Sequence, residues 1–446
     1  MTGTQFFTDA NHNFIKQAVF DAEPISGANL LKISKKPVCS NFIGFGVAIT
    51  GASCYNLKMM DKETRHSLLE NLYSENGLNL SAARLSVASS DYSAELYSYD
   101  DTEFDTELKH FSIERDKEYI IPMIKEILKI NPNLYIFASP WSPPGWMKTG
   151  GKMCGGFMRR EYIDCYAEYI IKYIKAYAEE GITISAITPQ NEPETQQSGR
   201  MPACIWHPET EADFIKVLKQ KLRQNSMDVE IWMYDHSFDG TDSVLWTLKS
   251  SENLSNYCDG VAFHYYSGAI EQTLKIKEEF PALKLHFTEG GPRLYDNYGT
   301  DRCKWGIMIA KALSHGYSSF TGWNLILDEC GGPNIGPFLC GGLVTLNRTS
   351  NEISYSGQYT AMRHIAPYIN RNSDIYSVTD CSGETMFDYP NTLKKISGFM
   401  VDNHDGKKTL ILINPNDTKV QTQFDIGGRL WYAELPPDSI STLIID

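Results

Sequence analysis

The chain is poor in several features that mark large classes of protein. Its 41 lysines and arginines are outnumbered by 55 acidic residues, for a net charge of −14. Nucleic acid and anionic membrane surfaces both require clustered cations, so neither is an expected partner. No apolar run approaches the roughly 20 residues of a membrane-spanning helix, and membrane insertion is not expected. The opening MTGTQFFTDANHNF has no basic n-region, apolar h-region or small-residue cleavage site, so the expected location is the cytoplasm. Ten cysteines include no CxxC pair, which in that compartment predicts free thiols and no disulfides. The sequon Asn347-Arg348-Thr349 carries no weight there.

Ordered metal and phosphate motifs are missing too. Cys54, Cys154, Cys204, Cys330 and Cys340 all follow strand ends, but their spacing matches no zinc pattern, and no metal is expected. His207-Pro208 ahead of Glu209-Thr210 is a helix-start signal and not a ligand set. The glycines at 150, 151, 155 and 156 lack the P-loop order and do not open into a GK[ST] helix.

What is present is a rhythm. From Phe42 onward, apolar strand candidates alternate with amphipathic segments. The strands are Phe42–Ile49, Ala83–Ser89, Leu134–Ser139, Ile182–Thr188, Glu230–Tyr234, Gly260–Tyr265, Lys284–Thr288 and Ser319–Asn324. Between and after them, Arg115–Ile130, Glu161–Glu180, Thr210–Leu222, Arg302–His315 and Gln358–Ile369 carry apolar residues at three- and four-residue spacing. Alternation repeated eight times implies parallel strands joined by right-handed crossovers, most economically a closed (β/α)8 TIM barrel over residues 41–369. A doubly wound open sheet is the second choice. After about residue 370 the helical period gives way to short alternating runs, Lys394–Val401, Thr409–Ile413, Val420–Phe424 and Ile440–Ile445, with turns such as Asp405-Gly406. Residues 370–446 therefore read as a small antiparallel β-sandwich. Residues 1–40, with one clear strand at Leu30–Ile33, are expected to join it.

In such barrels the chemistry sits at the C-terminal ends of the strands. The run ISAITPQNEP carries Glu192 just past the fourth strand, and LKLHFTEG ends the seventh on Glu289. A lone glutamate after a strand is usually a solvated loop acid. Two on opposite sides of one mouth are the pair that glycoside hydrolysis needs, one acid for the leaving oxygen and one carboxylate on the other face. Other strand ends supply Trp141, His264, Tyr266 and Trp323-Asn324, and Arg84 lies on the second strand. Tryptophan offers a flat apolar face to a sugar ring, while Arg and Tyr can hold a carboxylate ionised. No organic cofactor is expected; the expected partner is a small glycoside or oligosaccharide.

These residues sit in a set of ordered runs: GFGVAITGASCYNL from 44, ARLSVASSDYS from 83, ASPWSPPGWMKTGG from 138, ITPQNEP from 187, DFIKVL from 213, FHYY from 263, FTEGG from 287 and GWNLILDECGGPN from 322. Across nearly its whole length the chain resembles glycoside hydrolase family 30, the group that includes glucosylceramidases. The resemblance implies retention of configuration, Glu192 as acid/base and Glu289 as nucleophile. It further implies that Asn191 contacts the sugar 2-hydroxyl, that Tyr266 and Arg84 support the nucleophile, and that Trp141 and Trp323 wall the sugar. The ionised nucleophile is expected to raise the pKa of Glu192 by like charge. The glycine-rich loop after Lys148 is expected over the sugar, and the long loops Lys148–Arg160 and Glu194–Pro208 suggest a pocket and exo-action.

Two departures bear on the sugar. Where glucosylceramidase-like members carry an Asp that holds distal hydroxyls, this chain has Gly51, and a second polar position falls on Phe338. A site without partners for a hydroxyl gains little from it, which predicts a sugar lacking the 6-hydroxyl, a 6-deoxyhexoside such as quinovoside or fucoside, or a xyloside. If another residue replaces that Asp, a β-glucosidase or glucosylceramidase is expected instead. An endo-acting xylanase or β-1,6-glucanase and a non-catalytic sugar-binding barrel are the further alternatives.

Overall fold

A computed structural model describes residues 2–379 and 395–446. Eight parallel strands form the centre: Gly44–Ala48, Ala82–Val87, Tyr135–Pro140, Ala186–Ile187, Glu230–Ser237, Gly260–His264, Lys284–Glu289 and Tyr317–Gly322. They are hydrogen-bonded in chain order, and the eighth pairs back with the first. That closure excludes the open doubly wound sheet. Helices cover the barrel because their apolar residues recur on one face. In Ile163–Glu179 the residues Tyr166, Tyr169, Ile170, Tyr173, Ile174 and Tyr177 are all buried.

Two strands depart from the alternation in ways that build the site. The fourth is hydrogen-bonded as a ladder only at Ala186–Ile187. Beyond Thr188 its backbone leaves the ladder: Asn191 N–H donates to the Pro140 carbonyl at 2.8 Å and Glu192 N–H to that of Asp235 at 3.0 Å. The fifth strand runs to Ser237, beyond the expected Tyr234, through a bulge in which Tyr234 and Asp235 have φ of 76° and 57°. Left-handed backbone at two non-glycine residues is costly, and such strain is found where a side chain must be re-aimed.

A second set of nine strands lies within residues 2–33 and 374–445, and its hydrogen bonds also close into a circuit. All its pairings are antiparallel except that of Asn29–Ile33 with Val420–Ile426. The first 40 residues contribute three strands where one was expected, Thr2–Thr8, Ile15–Asp21 and Asn29–Ile33. Only Val19 of Ile15–Asp21 is buried, so no apolar alternation marks that strand. Backbone pairing on both sides holds it. Lys394, where a later strand was expected to begin, lies outside the described residues; the strand is seen as Ser397–Asp402.

The two bodies meet at the helix Arg302–Ser314, which links the seventh and eighth barrel strands and packs on Ser397–Asp402 and Asp374–Thr379. Gly306 permits this approach, since a Cβ there would stand 3.0 Å from Ile413 and Ile440. His364 closes the seam, its ring nitrogens 2.7 Å from Thr8 Oγ1 and 3.0 Å from Thr442 Oγ1. Among the described residues no helix is long and apolar enough to cross a membrane.

Candidate active site

The C-terminal ends of the barrel strands converge on one charged cluster. Arg84, buried on the second strand, is its hub. Its Nη1 donates to Glu289 Oε2, its Nη2 to Asn191 Oδ1 and to Asp235 Oδ2, both at 2.8 Å, and its Nε to Ser139 Oγ at 3.1 Å. Tyr266 OH donates to the other oxygen of Glu289 at 2.8 Å. Both oxygens of Glu289 are thus tied to donors, which fixes the carboxylate in place.

Glu192 is held from the opposite side. His264 Nδ1 lies 3.2 Å from its Oε1, and Gln197 Nε2 donates to its Oε2 at 2.5 Å. The same Nδ1 is 3.9 Å from Glu289 Oε1, so the two distances together cap the separation of these glutamate oxygens at about 7 Å. The cap admits the roughly 5–5.5 Å of a retaining pair and excludes most of the 6.5–9.5 Å range of an inverting one.

Beneath both glutamates lies Asp235, which the sequence reading missed. Oδ2 accepts from Arg84, from Ser139 Oγ at 2.9 Å and from Thr188 Oγ1 at 2.7 Å; Oδ1 accepts from Thr288 Oγ1 at 2.7 Å and faces His264 Nε2 at 3.1 Å. Burial works against its charge, yet the Arg84 guanidinium and these bonds hold the carboxyl far below the usual range. A polar residue ending an apolar strand was the available signal; the bulge at Tyr234 hid the strand's true end.

The imidazole between the carboxylates responds in kind. Burial pushes His264 down, but Glu289, Asp235 and Glu192 raise it to about 9. Burial pushes Glu192 up, and the hydrogen bond and charge of His264, with the Gln197 amide, carry it below the ordinary carboxylate value. This corrects the expectation that like charge from Glu289 raises Glu192, because a cation stands between them. The ligand atoms of Glu192, His236 and His264 lie within 4.8 Å of one another. With both ring nitrogens of His264 donating to carboxylates, the imidazolium offers no lone pair, so the trio reads as an ion-pair cluster and not as a metal cradle.

Above the cluster opens a cavity of about 260 Å³, lined by Trp141, Asn191, Glu192, Tyr266, Glu289, Trp323 and Phe338 together with Asp91, Gln197, Met201 and Cys340. Trp141 and Trp323 stack at 5.2 Å and 22°, with the Arg84 guanidinium 4.7 Å and 5.7 Å from their centroids. Arg84 and His264 act from below the floor and do not line it. Gly51 is likewise not among the lining residues. It opens the helix Gly51–Met59 against Ser93, whose Oγ lies 3.2 Å from where a Cβ would be. At the cavity instead is Asp91, 4% exposed, whose Oδ1 has no hydrogen-bond partner. Burial, then the charges of Glu289 and Glu192, raise its carboxyl well above the usual range.

The glycine-rich loop does not cover this cavity. Thr149, Gly150 and Gly151 line a separate groove of about 540 Å³ with Leu96, Phe104 and Trp146. The nine described cysteines are free thiols; Cys340 faces the substrate cavity, Cys54 and Cys204 are buried, Cys154 is half-buried and Cys330 is exposed.

Residues 42–366 match the model of the glycosyl hydrolase family 30 TIM-barrel domain. The chain belongs to glycoside hydrolase family 30. It is 29% identical to putative glucosylceramidase 3 of Caenorhabditis elegans over 91% of this chain and 80% of that protein. With the endo-1,6-beta-D-glucanase of Neurospora crassa it shares 26% identity over 90% of this chain and 85% of that one. SrfJ from Salmonella typhimurium superimposes with a TM-score of 0.90 at 26% identity, covering 100% of this chain and 99% of that one. As a family 30 member the protein is a glycoside hydrolase acting on carbohydrate substrates.

Proposed function

We propose that this family 30 enzyme is a retaining exo-β-glycosidase that removes one terminal glucose-type sugar. The observation that carries the reading is that Glu192 and Glu289 line one small cavity, with a shared imidazole limiting the separation of their oxygens. Glu289, aligned by Arg84 and Tyr266, attacks the anomeric carbon. Glu192 gives a proton to the departing oxygen and then takes one from the water that hydrolyses the glycosyl-enzyme. Asn191 is positioned by Arg84 to meet the hydroxyl beside the reacting carbon. Trp141 and Trp323 offer flat faces to the ring. A cavity of about 260 Å³ is smaller than the roughly 300–1,000 Å³ of sites for larger ligands, which favours a single ring over a polymer.

The choice of sugar turns on Asp91. A buried carboxyl with a free oxygen is costly unless a ligand satisfies it, and the 4- and 6-hydroxyls at the distal end of a glucose ring would do so. This supports glucose over the 6-deoxy sugar expected from Gly51. The 6-deoxy or xylose reading keeps one support, the apolar surface of Phe338, Met201 and Cys340 in the same cavity. Turnover of nitrophenyl β-glucoside, β-xyloside, β-fucoside and β-quinovoside, with β-1,6-glucan alongside, tests both. A preference for glucoside with a deeper loss in Asp91→Ala on glucoside than on quinovoside is the expected outcome. Turnover of polymer without aryl monosides sinks exo-action.

A further inference from the structure

The turn after Pro193 is mostly exposed: Glu194, Gln196, Ser198, Gly199 and Arg200 all face solvent. Gln197, at the tip of that turn, sends its side chain into the cavity, where its amide donates to Glu192 Oε2. Its backbone is left-handed, with φ of 49°, as is that of Ser198 at 53°. Local bonds hold this unfavourable geometry, Gln197 N–H donating to Thr195 Oγ1 at 3.1 Å and Arg200 N–H to the Gln197 carbonyl at 3.2 Å.

With His264 at Oε1 and Gln197 at Oε2, both oxygens of Glu192 face donors. A carboxyl engaged in this way accepts at both ends and has nowhere to carry a proton. An acid that must protonate a leaving oxygen needs one oxygen released. His264 is buried and pinned to Asp235 from behind, whereas Gln197 stands on an exposed turn. The partner that can move is the glutamine.

We propose that Gln197 is a positioning residue that caps Glu192 in the empty enzyme and is displaced from it by the arriving aglycone, so that the acid is protonated only when a leaving group is present. The proposal rests on Glu192 being the acid/base. Thr195 and Met201, on the same connection, line the cavity beside it and form the wall that an aglycone would meet. The other groups facing Glu192 are His264 from the sixth strand, His236 at 3.9 Å from the fifth, Glu289 from the seventh with Arg84 behind it, Tyr266, and Asp91 across the cavity. Of these only Tyr266 also adjoins exposed residues, at 267–269, and its hydroxyl is bound to Glu289 and not to Glu192.

The test is the basic limb of the pH profile for an alkyl or disaccharide β-glycoside, whose cleavage needs the acid. The limb of kcat/KM reports the free enzyme and that of kcat the complex. In Gln197→Ala the kcat/KM limb moves up by about 1–2 pH units, the size of one hydrogen bond to a charged group. Gln197→Glu moves it further up by like charge, and Gln197→Lys moves it down. The kcat limb stays in place in Gln197→Ala, because the amide has already left. A dinitrophenyl glycoside, whose leaving group needs no acid, shows no displacement of the basic limb of kcat/KM in these variants. Limbs that stay together in all three variants, or move without regard to the charge introduced, overturn the proposal, as does an equal shift in kcat and kcat/KM. Glu192→Ala separates the two readings. If it retains full activity on the alkyl glycoside, the acid/base assignment itself has failed; if it loses that activity while the Gln197 profiles do not move, only the cap is wrong.

Discussion

Asp235 and Asp116 are both buried in this part of the chain, and their surroundings differ in one respect. Asp235 sits under the charged cluster at the barrel mouth, among three hydroxyls and two cationic side chains. Asp116 sits outside the barrel wall and receives the hydroxyls of Tyr97 at 2.5 Å, Tyr99 at 2.6 Å and Tyr177 at 2.5 Å, with no cation among them. Burial penalises both charges. At Asp235 the Arg84 guanidinium overcomes the penalty and the carboxyl is held far down; at Asp116 three hydroxyls fall short and the carboxyl is raised. Neutral donors satisfy oxygen lone pairs, but a countercharge is needed to keep a buried acid ionised. The first aspartate holds Arg84 and His264 beside the two glutamates, and the second pins a loop to two helices.

Of the substitutions at these two sites, Asp235→Asn has the largest expected effect. The variant keeps the shape but removes the charge that faces Arg84 and His264, and frees Arg84 to shift against Glu289. We expect kcat/KM on an aryl glycoside to fall by about 10²-fold or more, and urea unfolding to show a loss of roughly 3–5 kcal/mol, as for a buried pair stripped of one partner. Asp116→Asn is expected to cost about 1–3 kcal/mol, since its amide N–H₂ must face a tyrosine donor, while kcat/KM stays near wild type. A comparable fall in activity in both variants would remove the distinction between them.

The dependence of those losses on pH should have opposite signs. Asp235 has a depressed folded pKa, so its contribution is present above the unfolded value and lost as pH falls through the folded one. Asp116 has a raised folded pKa, so its contribution is present below the unfolded value and lost as pH rises through the folded one. The stability gap between wild type and Asp235→Asn should therefore shrink toward acid, and that between wild type and Asp116→Asn should grow. Urea midpoints from pH 8 down to about 2 check both slopes, that of Asp235 appearing only below the unfolded carboxylate value of about 3.9; gaps that move in the same direction would refute the contrast. The smallest expected effect is that of Tyr97→Phe, which leaves Asp116 two donors and should cost about 1 kcal/mol without altering kcat/KM.

The same pair shows what the sequence could disclose. Glu192 and Glu289 were legible because each follows an apolar run, and a strand end implies a barrel mouth. Asp235 ends such a run as well, but the left-handed bulge at Tyr234 and Asp235 breaks the alternation one residue early, so the strand was cut short in front of it. Asp91 lay in plain view in ARLSVASSDYS, yet the path of the loop that turns it into the cavity has no periodic signature. Gly51, judged by the same resemblance, was placed at the sugar when it lies under Ser93. Asp116 sits in the charged stretch Glu114–Lys117, which reads as a solvated surface. Its three tyrosines come from positions 97, 99 and 177, and nothing local brings them together. The strand Ile15–Asp21 escaped for a related reason, being defined by its neighbours' backbones and not by its own side chains.

The closed circuit of the second body carries a consequence in time. Thr4 pairs with Ile444, and Thr2–Thr8 is flanked on one side only by Ser439–Ile445. During synthesis at about 5–20 residues per second, residues 2–8 leave the ribosome roughly 20–90 s before that neighbour exists. The whole catalytic barrel is made in the interval. Its assembly must therefore proceed with the Thr2–Thr8 edge open, and the last strand to be translated is the one that seals it.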